Sequence, residues 1–156
     1  MNFEHLIQIN DPENPLVQPL TRDQLWAGLL HRVENPVPFL PGLESCTILE
    51  RQANELLREL DFGPATIQDR VTLVETHWVR FDIIPSEAHA GGSLTITIEE
   101  PEPGFLFLRF AYRTTLASNP NSEDRAYIEY VKSAYHQSDV DCVRLIRTLV
   151  AEGSPQ

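Results

Sequence analysis

Two charges of opposite sign sit on strand faces that should be apolar. In Leu56-Leu57-Arg58-Glu59-Leu60-Asp61-Phe62, the alternate residues Leu56, Arg58, Leu60 and Phe62 share one face. In Thr66–Leu73 the corresponding face carries Ile67, Asp69, Val71 and Leu73. A two-residue turn at Gly63-Pro64 brings Phe62 opposite Ala65, Leu60 opposite Ile67, Leu56 opposite Val71 and Arg58 opposite Asp69. A slip of one residue would turn every side chain to the other face. The pair then reads in one of two ways: a structural ion pair, for which the solvent-reached end of the sheet is one place, or a polar anchor in an apolar cavity. In the second, Arg58 holds a ligand carboxylate or enolate.

Other polar groups on apolar faces extend the candidate list. His5 alternates with Phe3, Ile7 and Ile9 and reads as a satisfied core histidine or a proton-transfer group. Tyr112 alternates with Leu106, Leu108 and Phe110, so its ring belongs to the core and its hydroxyl to a polar cavity wall. Tyr135 falls on the apolar stripe of a long C-terminal helix, with His136 turned about 100° away. Ile96 and Val131 are the apolar positions expected to line the same cavity. The Ser86-Glu87-Ala88-His89 loop reads as a mobile lid rather than a triad. No catalytic residue is assigned.

The familiar catalytic and cofactor motifs are missing: no Gly-x-Gly-x-x-Gly, Gly-x-x-x-x-Gly-Lys or Gly-x-Ser-x-Gly. His5, His31, His77, His89 and His136 never adopt a zinc-ligand spacing, so neither a metal nor a cofactor is expected. Lys and Arg number 12 against 23 Asp and Glu, a net charge of −11. That excess repels phosphate backbones and anionic membrane surfaces, so no nucleic-acid partner and no membrane insertion are expected. Cys46 and Cys142 read as free thiols, and with no export signal at the N-terminus the expected compartment is the cytoplasm.

The elements that position these residues can be read in order. Length, 156 residues at 42% hydrophobic, suits a single domain over 1–156. A strand over residues 3–10 is followed by a proline-rich loop. Thr21 and Gln24 form a capping box, with Leu20 and Leu25 as a staple across it. The helix behind that box presents Leu25, Trp26, Leu29, Leu30 and Val33, and stops at Asn35-Pro36. Residues 36–42 allow one short helical turn. Six strand-like runs follow: Leu43–Glu50, Glu55–Phe62, Ala65–Val74, His77–Ile84, Ser93–Glu100 and Phe105–Thr115. No helical pattern intervenes, so they pair antiparallel. Asn119–Ser122 offers caps, and Glu123 and Asp124 suit a first turn. The stripe Ile128, Val131, Tyr135, Ser138, Cys142, Ile146, Leu149 then predicts one helix over 122–150, roughly 43 Å long. The tail Glu152–Gln156 should fray.

The expected class is therefore α+β: a seven-stranded curved antiparallel sheet wrapped around a long C-terminal helix, with two short helices after the first strand. This order resembles the helix-grip fold of the START-like (SRPBCC) superfamily, which includes lipid-transfer domains, the birch pollen allergen and polyketide cyclases. The opening Met1-Asn2-Phe3-Glu4-His5-Leu6 and the stretch Gly91–Gly104 are similar to the AtaL-like branch, found in bacteria and fungi; a bacterial source is the expectation. The resemblance implies a fold and an internal cavity rather than a reaction. The primary expectation is a binding or carrier protein for a small hydrophobic molecule. The alternatives are a cyclase/aromatase-like enzyme on a polyketide-like or other apolar substrate, and an interaction module whose cavity its own side chains fill.

Overall fold

A computed structural model describes residues 2–87, 89–114 and 122–153, with backbone alone over 122–127. The expected caps at 119–121 and the tail beyond residue 153 lie outside the described residues, as do the side chains of Glu123 and Asp124.

The chain runs β1 (Asn2–Gln8), α1 (Arg22–Glu34), a 3-10 turn (Val37–Phe39), β2 (Ser45–Gln52), β3 (Glu55–Asp61), β4 (Thr66–Val74), β5 (Trp78–Ile83), β6 (Gly92–Glu102), β7 (Phe105–Arg113) and α2 (Ser122–Ala151). The seven strands form one curved antiparallel sheet in the order β1-β7-β6-β5-β4-β3-β2. Six strands are a meander, because each break between them is too short for anything but a hairpin. β1 closes the far edge by pairing with β7, His5 standing opposite Phe110.

The β3–β4 hairpin has the register read from the sequence. Phe62 N–H donates to the Ala65 carbonyl at 2.9 Å across the Gly63-Pro64 turn. Leu60 pairs with Ile67, Arg58 with Asp69 and Leu56 with Val71. Gly63 supplies the turn's positive φ of 89°, which a residue with a Cβ adopts only with strain.

Helix α1 begins at the Thr21 capping box: Thr21 Oγ1 accepts from Gln24 N–H at 3.0 Å and Gln24 Oε1 from Thr21 N–H at 2.9 Å. Its Leu25, Leu29 and Val33 are fully buried in one core with Leu56, Val71 and Val79 of the sheet. α1 therefore shares with α2 the cover of the sheet. The two helices meet closely at Gly28, where a Cβ would stand 2.5 Å from Ile146 Cγ2. Arg147 ties α2 to the start of the chain, donating to the carbonyls of Gln18 (2.7 Å) and Ile9. Asn10 pins the intervening loop shut: its Nδ2 donates to the Leu20 carbonyl at 2.7 Å and its Oδ1 accepts from Leu20 N–H at 2.9 Å. Among the described residues no helix is long and apolar enough to cross a membrane.

Candidate functional site

Between the sheet and the two helices lies a cavity of about 450 Å³, within the range of small-molecule sites. Its apolar wall comes from strand residues that alternate inward, Leu60, Phe62, Ile67, Phe81, Ile83 and Leu94, and from Leu40 and Val131 opposite. Pro36 borders it on one side and His89, Gly91 and Gly92 on another. Its polar wall holds Arg32, Arg58, Asp69, Ser93, Tyr112, Arg113 and Ser138.

Arg58 and Asp69 meet as a two-pronged ion pair. Arg58 Nε donates to Asp69 Oδ1 at 2.8 Å and Nη2 to Oδ2 at 2.6 Å. Their side chains are 2% and 3% exposed, so solvent does not reach the pair. The remaining arm of Arg58 reaches the end of α1, Nη1 donating to the carbonyls of Val33 (2.9 Å) and Arg32 (3.5 Å). These are last-turn carbonyls that the helix cannot satisfy itself. Arg58 thus welds β3, β4 and the end of α1 together, and its donors are largely spent on the protein.

A second polar cluster, centred on α2, contains a residue the sequence reading passed over. Asp139 is fully buried. Its Oδ1 accepts from the Tyr112 hydroxyl at 2.6 Å, and its Oδ2 is hydrogen-bonded to His5 Nε2 at 2.6 Å. Burial pushes the Asp139 carboxyl above its usual range, against the opposing pull of these hydrogen bonds. Burial, with the neighbouring carboxyl, also raises the Tyr112 phenol, so it stays protonated and donates. Tyr112 stacks on Tyr135 at 4.5 Å and on Phe3 at 5.1 Å. His5, 18% exposed, links Asp139 outward, its ring 5.1 Å from that of His136.

A third group was also missed. Arg32, on α1, is 6% exposed, and among the described residues its Nη1 has no hydrogen-bond partner. Its guanidinium lies 5.5 Å from the centre of the Phe81 ring, which Arg58 also faces at 5.1 Å.

Of the candidates read from sequence, Arg58, Asp69, Tyr112, Tyr135 and Val131 line the cavity. His5 stands behind Tyr112 rather than in the lining. Ile96 is fully buried in the packed core and does not line it either. Tyr135 faces the sheet as expected, its ring 4.5 Å from that of Tyr112 and 5.8 Å from that of Phe3, and is 37% exposed. His89 Nδ1 accepts from Gly91 N–H at 2.9 Å, a turn-stabilising role. Cys46 and Cys142 are free thiols.

Among solved structures, the ZhuI aromatase/cyclase from Streptomyces sp. R1128 superposes with a TM-score of 0.63 at 17% identity, covering 96% of this chain and 95% of that one. The di-domain aromatase/cyclase StfQ of the steffimycin biosynthetic pathway gives 0.64 at 15% identity over 97% of this chain and 51% of its own. Ara h 8.0201 gives 0.58 at 11% identity over 95% and 98%. At such identities the likeness is one of fold, the helix grip. No curated protein sequence matches the chain. The family described as AtaL, acetylaranotin biosynthesis cluster protein L, matches residues 7–153.

Proposed function

The chain belongs to the AtaL family, and from the lining of its cavity we propose that it binds a small, largely apolar molecule between the sheet and the helices. The observation that carries this reading is the cavity itself: about 450 Å³, walled by leucine, isoleucine and phenylalanine side chains and bearing a few buried polar fixtures. Similar folds in proteins titled aromatase/cyclases support it. The test is fluorescence titration with N-phenyl-1-naphthylamine, a neutral apolar probe. Saturable one-to-one binding is expected, and loss of it in a variant that fills the cavity, Val131→Trp. Absence of saturable binding to the folded wild type would refute the reading.

One observation favours a second reading, proton transfer of the cyclase kind. Tyr112 lines the cavity, and from its hydroxyl Asp139 and His5 form a hydrogen-bonded path outward. A ligand's acidic C–H placed at Tyr112 would pass its proton to the phenol oxygen as the phenol passes its own to the Asp139 carboxylate, leaving an enolate in the cavity. A slow α-proton exchanger such as α-tetralone tests this in D2O. If the reading holds, wild type speeds loss of the α-proton NMR signal and Asp139→Asn does not. Equal rates with wild type and Asp139→Asn would end it.

A further inference from the structure

Arg32 is the group on the cavity wall whose needs the protein does not meet. Its guanidinium carries five N–H donors and stays protonated at any ordinary pH. Burying such a charge is costly unless it is paired and hydrogen-bonded. Yet among the described residues Nη1 has no partner and no carboxylate lies within ion-pair distance of the guanidinium. Cys142 Sγ, a weak acceptor, stands beside it. The two buried carboxylates nearby are engaged elsewhere: Asp69 grips Arg58, and Asp139 takes the Tyr112 hydroxyl and His5. The opposite arrangement at Arg58 shows what a structural arginine looks like in this fold, with carboxylate and helix carbonyls all in place. In a chain of net charge −11, this stretch of cavity wall therefore carries an unbalanced positive charge.

We propose that Arg32 is the anion-recognising group of the cavity, and that the ligand is an apolar molecule bearing one acidic oxygen group, a carboxylate or an acidic enol or phenol. Such a group supplies the counter-charge that the Arg32 guanidinium lacks at the cavity wall, and a guanidinium is the side chain best matched to an oxyanion. The apolar body then lies along Leu94, Ile67 and Leu60. The charge selects: a neutral molecule of the same shape leaves the buried cation without a partner and binds more weakly.

This rests on the small-molecule reading above, and the experiment separates the two. Two probes of one skeleton are titrated into the whole protein, 1-anilinonaphthalene-8-sulfonate and the neutral N-phenyl-1-naphthylamine. The wild type should bind the sulfonate at least tenfold more tightly. Arg32→Met, which keeps an unbranched side chain and removes only the charge, should lower that preference at least tenfold while binding the neutral probe as before. Arg113→Met tests the other cation of the lining that, among the described residues, has no carboxylate within ion-pair distance, an exposed one. A second measurement needs no variant: 2-naphthoate should displace N-phenyl-1-naphthylamine from wild type at lower concentration than 2-naphthamide does. If the neutral probe binds and the anionic ligands have no advantage, the assignment of Arg32 is overturned and the cavity reading stands. If the preference follows Arg113 rather than Arg32, the assignment is likewise overturned. If the neutral probe does not bind at all, both readings fall.

Discussion

Replacing Asp69 by Leu should destabilise the protein severely, and by an amount the structure bounds. The Arg58–Asp69 pair is buried, with side chains 2% and 3% exposed, so removing one partner strands a charge away from water. Breaking a buried pair in this way costs about 3–5 kcal/mol. For a chain of this size that corresponds to roughly 6–20 °C in Tm. Arg58→Met should cost a similar amount for a different mix of reasons. It strands Asp69, and it also removes the donor from the Val33 carbonyl at the end of α1. The double replacement Arg58→Met, Asp69→Leu leaves no orphan charge, so most of the loss should return. It should not all return, because the Val33 carbonyl stays buried and unpaired, at about 1–3 kcal/mol. Urea denaturation followed by circular dichroism, with m-values compared to confirm a common unfolding transition, measures all four corners of the cycle. Single variants that each lose under about 1 kcal/mol, the value for an exposed pair, would refute the reasoning. So would a double variant whose loss equals the sum of the singles.

Asp139 gives the pH dependence. Its carboxyl is held above the ordinary range, chiefly by burial, so the folded chain keeps that proton longer than the unfolded one. Stability contributed at this site is therefore present below the unfolded value of about 4 and is lost as pH rises through the folded one. Relative to Asp139→Asn, wild type should lose stability with rising pH across that window and then level off, in urea titrations at a series of pH values; a difference that grows in favour of wild type contradicts the shift. Gly28→Ala should destabilise, because the overpacking cost of about 1–3 kcal/mol against Ile146 outweighs the ~1 kcal/mol that alanine adds to a helix. Thermal melts with and without Ile146→Ala check this, the second change relieving part of the loss. Val131→Trp should weaken N-phenyl-1-naphthylamine binding at least tenfold with little loss of stability, whereas Ile96→Trp should lower the unfolding midpoint. The reverse pattern would mean that the cavity wall and the core have been exchanged.

Much of the fold was legible because local chemistry and global order agree. Gly63-Pro64 admits only a tight turn, and the turn fixed the register that brings Arg58 to Asp69. The Thr21–Gln24 capping box marked the start of α1, and the stripe from Ile128 to Leu149 marked α2. The site was less legible. Arg32 follows Leu25 and Leu29 at helical spacing, and Asp139 lies four residues after Tyr135 and three before Cys142, so both occupy inward stripes. The strand argument that found Arg58, a charge interrupting an apolar face, applies to them equally. It is weaker on a helix, where an apolar stripe is broad and its edges are polar by nature. Asp139 was displaced in the reading by its neighbour Ser138, which faces the cavity while Asp139 lies behind Tyr112. Which strand residues line a cavity and which fill the core depends on sheet curvature, and alternation alone does not report it. Ile96 and Leu94 share a face of β6, yet only Leu94 meets the cavity.

The central claim is that the space between sheet and helices is a ligand site, and methyl NMR tests it most directly. With Leu, Ile and Val methyls labelled, N-phenyl-1-naphthylamine should shift Leu60, Ile67, Leu94 and Val131 saturably and at one-to-one stoichiometry, while Val71 and Ile98 of the core stay still. Shifts confined to exposed residues such as Leu16 and Leu49, or no saturable shifts at all, would contradict the account.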